Sequence, residues 1–207
     1  SGPTAPALRY NSSSRWLGAV AAAHSVNGRL TFDGGAHTMA YSKDHRFDGR
    51  ADLGYPAYWN TSFKTEASAF AKASYALGET TLFGDLQLRT AEFRYRPTEG
   101  YGLDDVSERW SFTNPKVGIT MRANDRVTLF ASYGTTSREP TRSDLFAGAD
   151  DVTPDDAPAL LPLDRVKPEH VTDLELGASL TFGRATVTIN GFNMGFGDEI
   201  ARTGATS

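Results

Sequence analysis

An aromatic loop carries the residues best suited to binding a planar ligand. Tyr55, Tyr58 and Trp59 fall within five residues, with Arg46 and Arg50 shortly before them. Aromatic rings stack on planar groups, and guanidinium cations are attracted to aromatic faces. The loop is therefore a candidate contact surface for a planar ligand such as a catecholate. An equally supported interpretation is that these rings anchor the loop at a membrane surface.

Two arginines at the end of a strand-like stretch form a second candidate group. Arg138 continues the alternation of polar residues that begins at Arg126, so it should share their face, and Arg142 follows shortly after. Either guanidinium could bind an anionic chelate. Pairing with Glu139 and Asp144 is favoured over ligand binding, because an arginine inside a protein usually has a carboxylate partner. The predicted ligand-binding residues are Tyr55, Tyr58, Trp59, Arg138 and Arg142.

Patterns that would support catalysis or hold a cofactor are missing from the sequence. It contains no Gly-x-Ser-x-Gly, Walker loop or His-Glu-x-x-His pattern, and no cysteine. A metal site of His45 with Asp44 and Asp48 is one interpretation, but solvated carboxylates are the simpler one. The acidic stretch 150–156 is interpreted as an extended, solvated loop rather than a calcium site, because prolines interrupt it. We therefore predict no enzyme activity, catalytic residue, metal or cofactor.

Composition and charge restrict the remaining functions. The 207 residues carry a net charge of −4 and no basic cluster, which argues against nucleic acid as a partner. The nearest approach to a membrane-spanning helix is the seven-residue apolar run 17–23, far short of the ~18 residues that such a helix needs. Because the chain begins Ser1-Gly2-Pro3, without an initiator Met or a signal peptide, we expect an interior fragment or a processed product.

Short turn signals alternate with long polar or aromatic segments along the chain. The turn signals are at 27–28, 78–79, 123–126 and 183–184, and the long segments are 46–61, 97–113 and 139–171. Tight turns at one edge and long loops at the other are typical of an up-and-down sheet that spans a membrane. The predicted fold is all-β, an antiparallel up-and-down meander of about eight strands. The predicted strands are 15–26, 29–45, 62–77, 80–96, 114–122, 126–138, 172–182 and 184–199.

Most of these strands have one apolar and one polar face. In the third, Ala67, Ala69 and Ala71 alternate with residues that include Glu66 and Lys72, the period of a two-faced strand. An amphipathic helix at this position and a soluble sandwich are the alternatives. Predicted strands of ~10–16 residues exceed the usual globular length and favour a membrane barrel. So do the aromatic residues at strand ends, which are Trp16, Tyr41, Tyr75, Phe93, Tyr95, Tyr133, Phe182 and Phe192.

Several stretches, taken in order, resemble the barrel of TonB-dependent outer-membrane receptors. They are NPKVGIT from Asn114, NDRVTLFASYG from Asn124, REPTRSDLF from Arg138 and KPEHVTDLELG from Lys167. The segments 60–65 and 82–87 resemble the preceding strands of the same receptors. The resemblance covers residues 15–200, and its motifs are specific as an ordered set.

The resemblance implies a barrel segment of an outer-membrane receptor for uptake of an iron chelate or similar scarce nutrient, in a Gram-negative bacterium. The implied partners are outer-membrane lipid, a small-molecule ligand such as a ferric chelate, and the remainder of the receptor including its plug. TonB would be reached only through that plug.

Departures from the family pattern suggest a single segment of a larger barrel. This sequence shows no plug domain, no TonB-contacting box and no final aromatic residue, and family barrels have about 22 strands. We therefore expect residues 1–207 to be one segment whose first and last strands do not pair. The alternatives are a small self-closing eight-stranded barrel with a structural or adhesive role, and a soluble β-rich binding domain.

Overall fold

The computed structural model describes residues 8–50 and 54–200, and its main feature is one eight-stranded antiparallel sheet. Each strand pairs with the next one along the sequence. The strands are β1 (Arg9–Asn27), β2 (Leu30–Asp48), β3 (Tyr58–Leu77), β4 (Thr80–Arg96), β5 (Val106–Asn124), β6 (Val127–Arg138), β7 (Glu169–Phe182) and β8 (Ala185–Gly197). The predicted all-β, up-and-down meander is therefore confirmed.

Two-residue turns join the strands at one end of the sheet. Gly28, Gly78 and Gly183 have φ angles of 59°, 63° and 60°, a conformation that glycine adopts without steric cost. At the remaining turn, the side-chain oxygen of Asn124 accepts the backbone N–H of Arg126 at 2.9 Å, which fixes the turn locally.

The long connections lie together at the opposite end, because consecutive strands are antiparallel. They are shorter than predicted and comprise residues 49–57, 97–105 and 139–168. The largest difference is in β5, which begins at Val106 rather than at 114. Trp110 and Phe112, which the sequence placed in a loop, are buried side chains of this strand. β1 likewise begins at Arg9 rather than at 15.

Residues that pair directly on neighbouring strands share a face of the sheet, and this register separates a charged face from an apolar one. Lys72 pairs with Asp85, which pairs with Lys116, so opposite charges alternate across three strands. On the other face Ala69 pairs with Leu88. We call the charged face, which residues 139–168 contact, the inner face, and the other the outer face. The predicted separation of polar and apolar positions agrees with this register.

β1 and β8 are the two edges of the sheet. Among the strands that the structure describes, these two are not paired with each other. The sheet is therefore open, as expected for a segment, and these eight strands do not form the small self-closing barrel.

Residues 139–168, which we call the inner loop, fold back onto the inner face. The loop contains α1 (Arg142–Leu145), α2 (Ala157–Leu160) and a 3-10 turn (Leu163–Arg165). In the described part of the chain, no helix has the length and apolar character to cross a membrane. The acidic stretch within this loop is not extended as expected, because it turns into α2, but Asp150, Asp155 and Asp156 are exposed to solvent as expected.

The buried apolar cluster lies between the inner loop and the inner face. Phe146 of the loop contacts Phe93 and Tyr95 of β4, with ring centroids 6.0 and 4.7 Å apart. Val152 and Leu163 of the loop are buried in the same cluster. The prediction that Phe93 and Tyr95 belong to an interfacial aromatic girdle is therefore wrong, since both point inward.

Three inner-face glycines are each covered by a phenylalanine on a neighbouring strand. The direct pairs are Gly35 with Phe70, Gly118 with Phe83 and Gly177 with Phe130. A methyl group on Gly177 would lie 2.2 Å from the Phe130 ring, inside van der Waals contact. The ring occupies the space that the glycine leaves empty, a known device for stabilising glycine positions in sheets.

Candidate functional site

The carboxylate of Asp151 holds the inner loop to the sheet. It accepts hydrogen bonds from Asn60 Nδ2 at 2.9 Å, Thr98 Oγ1 at 3.0 Å and the Tyr101 hydroxyl at 2.9 Å, with the Tyr95 hydroxyl at 3.4 Å. The pKa of Tyr101 is raised to about 12, mainly by burial and secondly by the hydrogen bond to this carboxylate. Four donors from three parts of the chain therefore meet at one side chain.

Arg142 is a second side chain that holds the inner loop to the sheet. Its Nε donates to Ser62 Oγ at 3.1 Å, and its terminal nitrogens donate to the carbonyls of Ala149 and Asp150 at 3.0 and 2.6 Å. The structure thus gives this predicted ligand-binding residue a set of loop and strand partners. Neither carboxylate that was expected to pair with it does so: Glu139 pairs with Lys64 and Arg89, and Asp144 caps α1 together with Thr141.

An ion-pair network anchors the start of the inner loop. Glu139 is 5 % exposed and lies 2.5 Å from Lys64 Nζ and 2.7 Å from Arg89 Nη2. Arg89 also contacts Glu66 at 2.8 Å, which links the network to β3. Burial alone would raise the pKa of Glu139, but the hydrogen bond from Lys64 and the charges of Lys64 and Arg89 lower it below its ordinary value. The carboxylate is therefore held in its ionised form.

A cavity of about 400 Å³ lies between the inner loop and strands β2, β3 and β4. Lys43, His45 and Ser62 line it on the sheet side, and Glu139 and Asp150 on the loop side. His45 is 4 % exposed, and its Nδ1 lies 2.9 Å from the Tyr10 hydroxyl. Its Nε2 has no hydrogen-bond partner among the described residues. The cavity thus combines cations, carboxylates and one unsatisfied imidazole nitrogen.

The predicted aromatic surface is divided between the two faces of the sheet. Tyr58 stacks on Phe47 at 5.6 Å, and Tyr55 contacts the same ring edge-on at 6.4 Å. Trp59 is the next residue in β3 and points to the outer face, where Arg46 lies 5.5 Å from its ring centroid. The structure therefore brings Tyr55 and Tyr58 together and separates Trp59 from them.

Arg138 lies on the inner face, as its alternation predicts, and has carboxylate partners. It forms an ion pair with Glu169, directly opposite on β7, and approaches Asp144 at 3.9 Å. Local pairing was the favoured expectation, although Glu169 was not among the partners anticipated. Arg138 lies three strands from Tyr58 in the sheet order.

Among the described residues, no three His, Asp or Glu side chains lie close enough together to hold a metal ion. The alternative site of His45 with Asp44 is not assembled, because adjacent residues of β2 point to opposite faces. Asp44 accepts the hydroxyl of Thr61 at 2.8 Å on the outer face.

The sequence interpretation missed Lys43, Ser62 and Asp151 as site residues. Lys43 and Ser62 could have been found from strand alternation, since Ser62 shares the parity of the polar positions in β3 and pairs directly with Lys43. Asp151 gave no such signal, because its position depends on how the inner loop folds.

The sequence and the fold match a known family. The family model described as TonB dependent receptor-like, beta-barrel matches residues 1–207. No curated protein sequence matches the chain.

Solved structures show the same fold. The copper transporter OprC has a TM-score of 0.71 at 19% identity, covering 89% of this chain and 30% of that one. The ferric citrate transporter FecA in its unliganded form has a TM-score of 0.64 at 14% identity, covering 91% and 28%. The ferric-catecholate import receptor Fiu from E. coli K12 has a TM-score of 0.62 at 11% identity, covering 90% and 32%.

The chain spans less than a third of the length of each of these structures. The match of the family model along all 207 residues agrees with the eight sequential strands and with the long connections at one end of the sheet. The chain therefore belongs to the TonB-dependent receptor-like β-barrel family.

Proposed function

We propose that the chain forms eight strands of the barrel of an outer-membrane receptor that takes up an iron chelate or similar scarce nutrient. The observation that carries the proposal is an open sheet of this family whose long connections gather at one end above a charged inner face. The names of the copper and ferric transporters that it resembles support a metal chelate as the nutrient class. The proposed location is the outer membrane of a Gram-negative bacterium.

In this proposal, the chain binds and does not make or break bonds. The long connections face the cell exterior and take the ligand at the rim of the inner face. The outer face contacts lipid, and the edges β1 and β8 pair with further strands of the receptor. Passage through the barrel then depends on the plug and, through it, on TonB.

The five predicted ligand residues keep that role in the proposal, and their geometry ranks them. Tyr55 and Tyr58 lie beside Phe47 at the rim and can stack on a planar ligand without losing an ion pair. Arg138 and Arg142 can bind an anionic ligand only by exchanging their present oxygen partners for it. Trp59 ranks last, because it points to the outer face and away from the rim at which the ligand is proposed to bind.

Uptake by whole cells tests the proposal. The receptor that contains this segment would be deleted, and uptake of radiolabelled ferric catecholate, hydroxamate and citrate complexes would be measured. Restoring the wild-type gene should restore uptake of one class. The double variant Tyr55→Ala/Tyr58→Ala should weaken its binding, by ~1–3 kcal/mol if both rings stack on the ligand.

The matched control is Tyr133→Ala, an exposed tyrosine on β6. Deletion without effect on any complex would exclude iron-chelate uptake as the function. Unchanged affinity in the double variant would exclude the aromatic rim as the ligand surface.

A further inference from the structure

The outer face of β1 to β4 is unusually smooth over several consecutive rows of paired residues. Its side chains there are mostly alanine, glycine or threonine. Two such rows, read from β1 to β4, are Ala21, Ala36, Ala69, Leu88 and Ala19, Thr38, Ala67, Thr90. Small side chains leave room for another molecule to lie close to the sheet.

Shallow grooves lie on the outer face between β2 and β5, where they overlap this smooth surface. Two depressions of about 390 and 200 Å³ adjoin at Ala67 and Thr90, which line both. The outward residues Ala69 and Leu88 border the larger one, and the smaller one reaches Glu92. Together they form a track that runs along the strands toward the rim.

A row that contains two arginines crosses the outer face just above this track. From β1 to β4 it consists of Arg15, Ser42, Phe63 and Arg94. The twelve residue-to-residue steps from Leu30 to Ser42 extend about 40 Å along the strand, or about 30 Å along the membrane normal at a tilt of about 40°. Since the apolar band of such barrels is about 25 Å tall, this row lies at the level of lipid headgroups.

Two arginines of β4, Arg94 and Arg96, lie close to one aromatic ring. The guanidinium carbons of Arg94 and Arg96 lie 5.2 and 5.5 Å from the centroid of Phe63. Arg96 has Asp105 as a carboxylate partner at 3.3 Å. Arg15 and Arg94 are exposed, and within residues 8–50 and 54–200 neither has a carboxylate partner. Two cations at the headgroup level are therefore available to an anion.

The carboxylates nearest this row already have partners. Glu92, one row below, pairs with Arg109, and Asp44, one row above, accepts the hydroxyl of Thr61. Within the described part of the sheet, these carboxylates therefore do not neutralise Arg15 and Arg94.

We propose that this surface binds one phosphorylated lipid of the outer leaflet, with an acyl chain in the groove and the phosphate at Arg94 and Arg15. Guanidinium groups bind phosphate oxygens through paired hydrogen bonds. The groove continues along β4 toward Arg94, with Arg15 in the same row at the edge strand β1, and this continuity selects a lipid over a soluble anion. The inference rests on the proposed membrane location but is independent of which nutrient is transported.

Native mass spectrometry of the whole receptor in detergent tests this site. The probes are dioleoyl phosphatidic acid and dioleoyl phosphatidylcholine, which share their acyl chains. We expect one phosphatidic acid to bind tightly and phosphatidylcholine to bind weakly. Arg15→Ala/Arg94→Ala should weaken phosphatidic acid binding about thirtyfold, since each arginine near a membrane surface contributes about fivefold. The control Arg29→Ala/Arg184→Ala removes the same charge from turns at the other end.

A second variant tests the groove without a change of charge. Ala69→Phe should fill it and weaken binding of phosphatidic acid while circular dichroism still shows a folded sheet. Equal binding of the two lipids, wild-type affinity in both variants, or displacement of the lipid by inorganic phosphate would each overturn the proposal. Uptake should remain at the wild-type level in Arg15→Ala/Arg94→Ala, so loss of lipid binding and loss of transport are distinguishable.

Discussion

Replacing Asp151 with alanine should release the inner loop from the sheet. The substitution removes the acceptor shared by Asn60, Thr98, Tyr101 and Tyr95. The buried donors among them therefore lose a charged partner.

The loss in free energy of loop docking depends on which of the four donors can form a hydrogen bond to water instead. Tyr95 and Asn60 are 0 % and 1 % exposed, and Asn60 keeps a second bond to the Asp150 carbonyl at 2.9 Å. Thr98 and Tyr101 are partly exposed and can turn to solvent. A lost hydrogen bond to a charged acceptor costs about 1.5–3 kcal/mol. We therefore expect about 3 kcal/mol from the two buried donors, which corresponds to about 100-fold more frequent opening of the loop.

Hydrogen exchange of the reconstituted receptor measures this opening. The amide of Gly148, bonded to the Ser143 carbonyl at 2.8 Å, should exchange about 100-fold faster, while amides in the middle of β4 should not change. Asp155→Ala is the control, because it removes the same charge from an exposed position of the same loop. Equal exchange in Asp151→Ala and Asp155→Ala would refute the assignment of Asp151 as the main fastening.

Three further predictions concern the sheet and the pH dependence of the loop. Leu129→Arg places a charge on the outer face and should lower the free energy of unfolding by ~2–4 kcal/mol near mid-bilayer, whereas Lys116→Ala on the inner face should lower it less. Urea unfolding in lipid measures both, and equal losses would contradict the face assignment. Gly177→Ala should destabilise the sheet by ~1–3 kcal/mol because of the ring opposite it, and Gly191→Ala, where the added atom's nearest neighbour is 3.9 Å away, should be nearly neutral in the same assay. Because the pKa of Tyr101 is raised from 10.0 to about 12, its neutral hydroxyl stabilises the docked loop fully below pH 10, and this stabilisation is lost as the pH rises toward 12. Hydrogen exchange of the loop, corrected for its intrinsic pH dependence, should therefore increase over that range and not below it.

Local signals in the sequence predicted the sheet well. The glycine turns and the alternation in strands such as β3 depend on residues within a few positions of each other, and the register of hairpins follows from both. The start of β5 was missed because Trp110 and Phe112 point inward against a loop, so that polar and aromatic residues alternate where an apolar outer face was expected. Buried inner-face aromatics are not distinguishable from loop aromatics by type alone.

The candidate site was less accessible to sequence reasoning, because distant segments assemble it. Arg142 has the residue type of an anion-binding group, yet contacts with Ser62 and with carbonyls of its own loop decide its role. Tyr58 and Trp59 are neighbours in sequence, but strand alternation places them on opposite faces. Their separation was predictable once β3 was known to begin at Tyr58 rather than at 62.

The fastening of the inner loop also has a consequence for the order in which the chain folds. Every strand pairs with its sequence neighbour, so hairpins can form by closing short loops. The bond between Asn60 and Asp150 instead joins residues 90 positions apart and requires β3 and β4 to be in place. Docking of the loop is therefore expected as a late and separate step, slowed by its high contact order. A newly inserted barrel would then pass through an intermediate with a formed wall and an undocked loop.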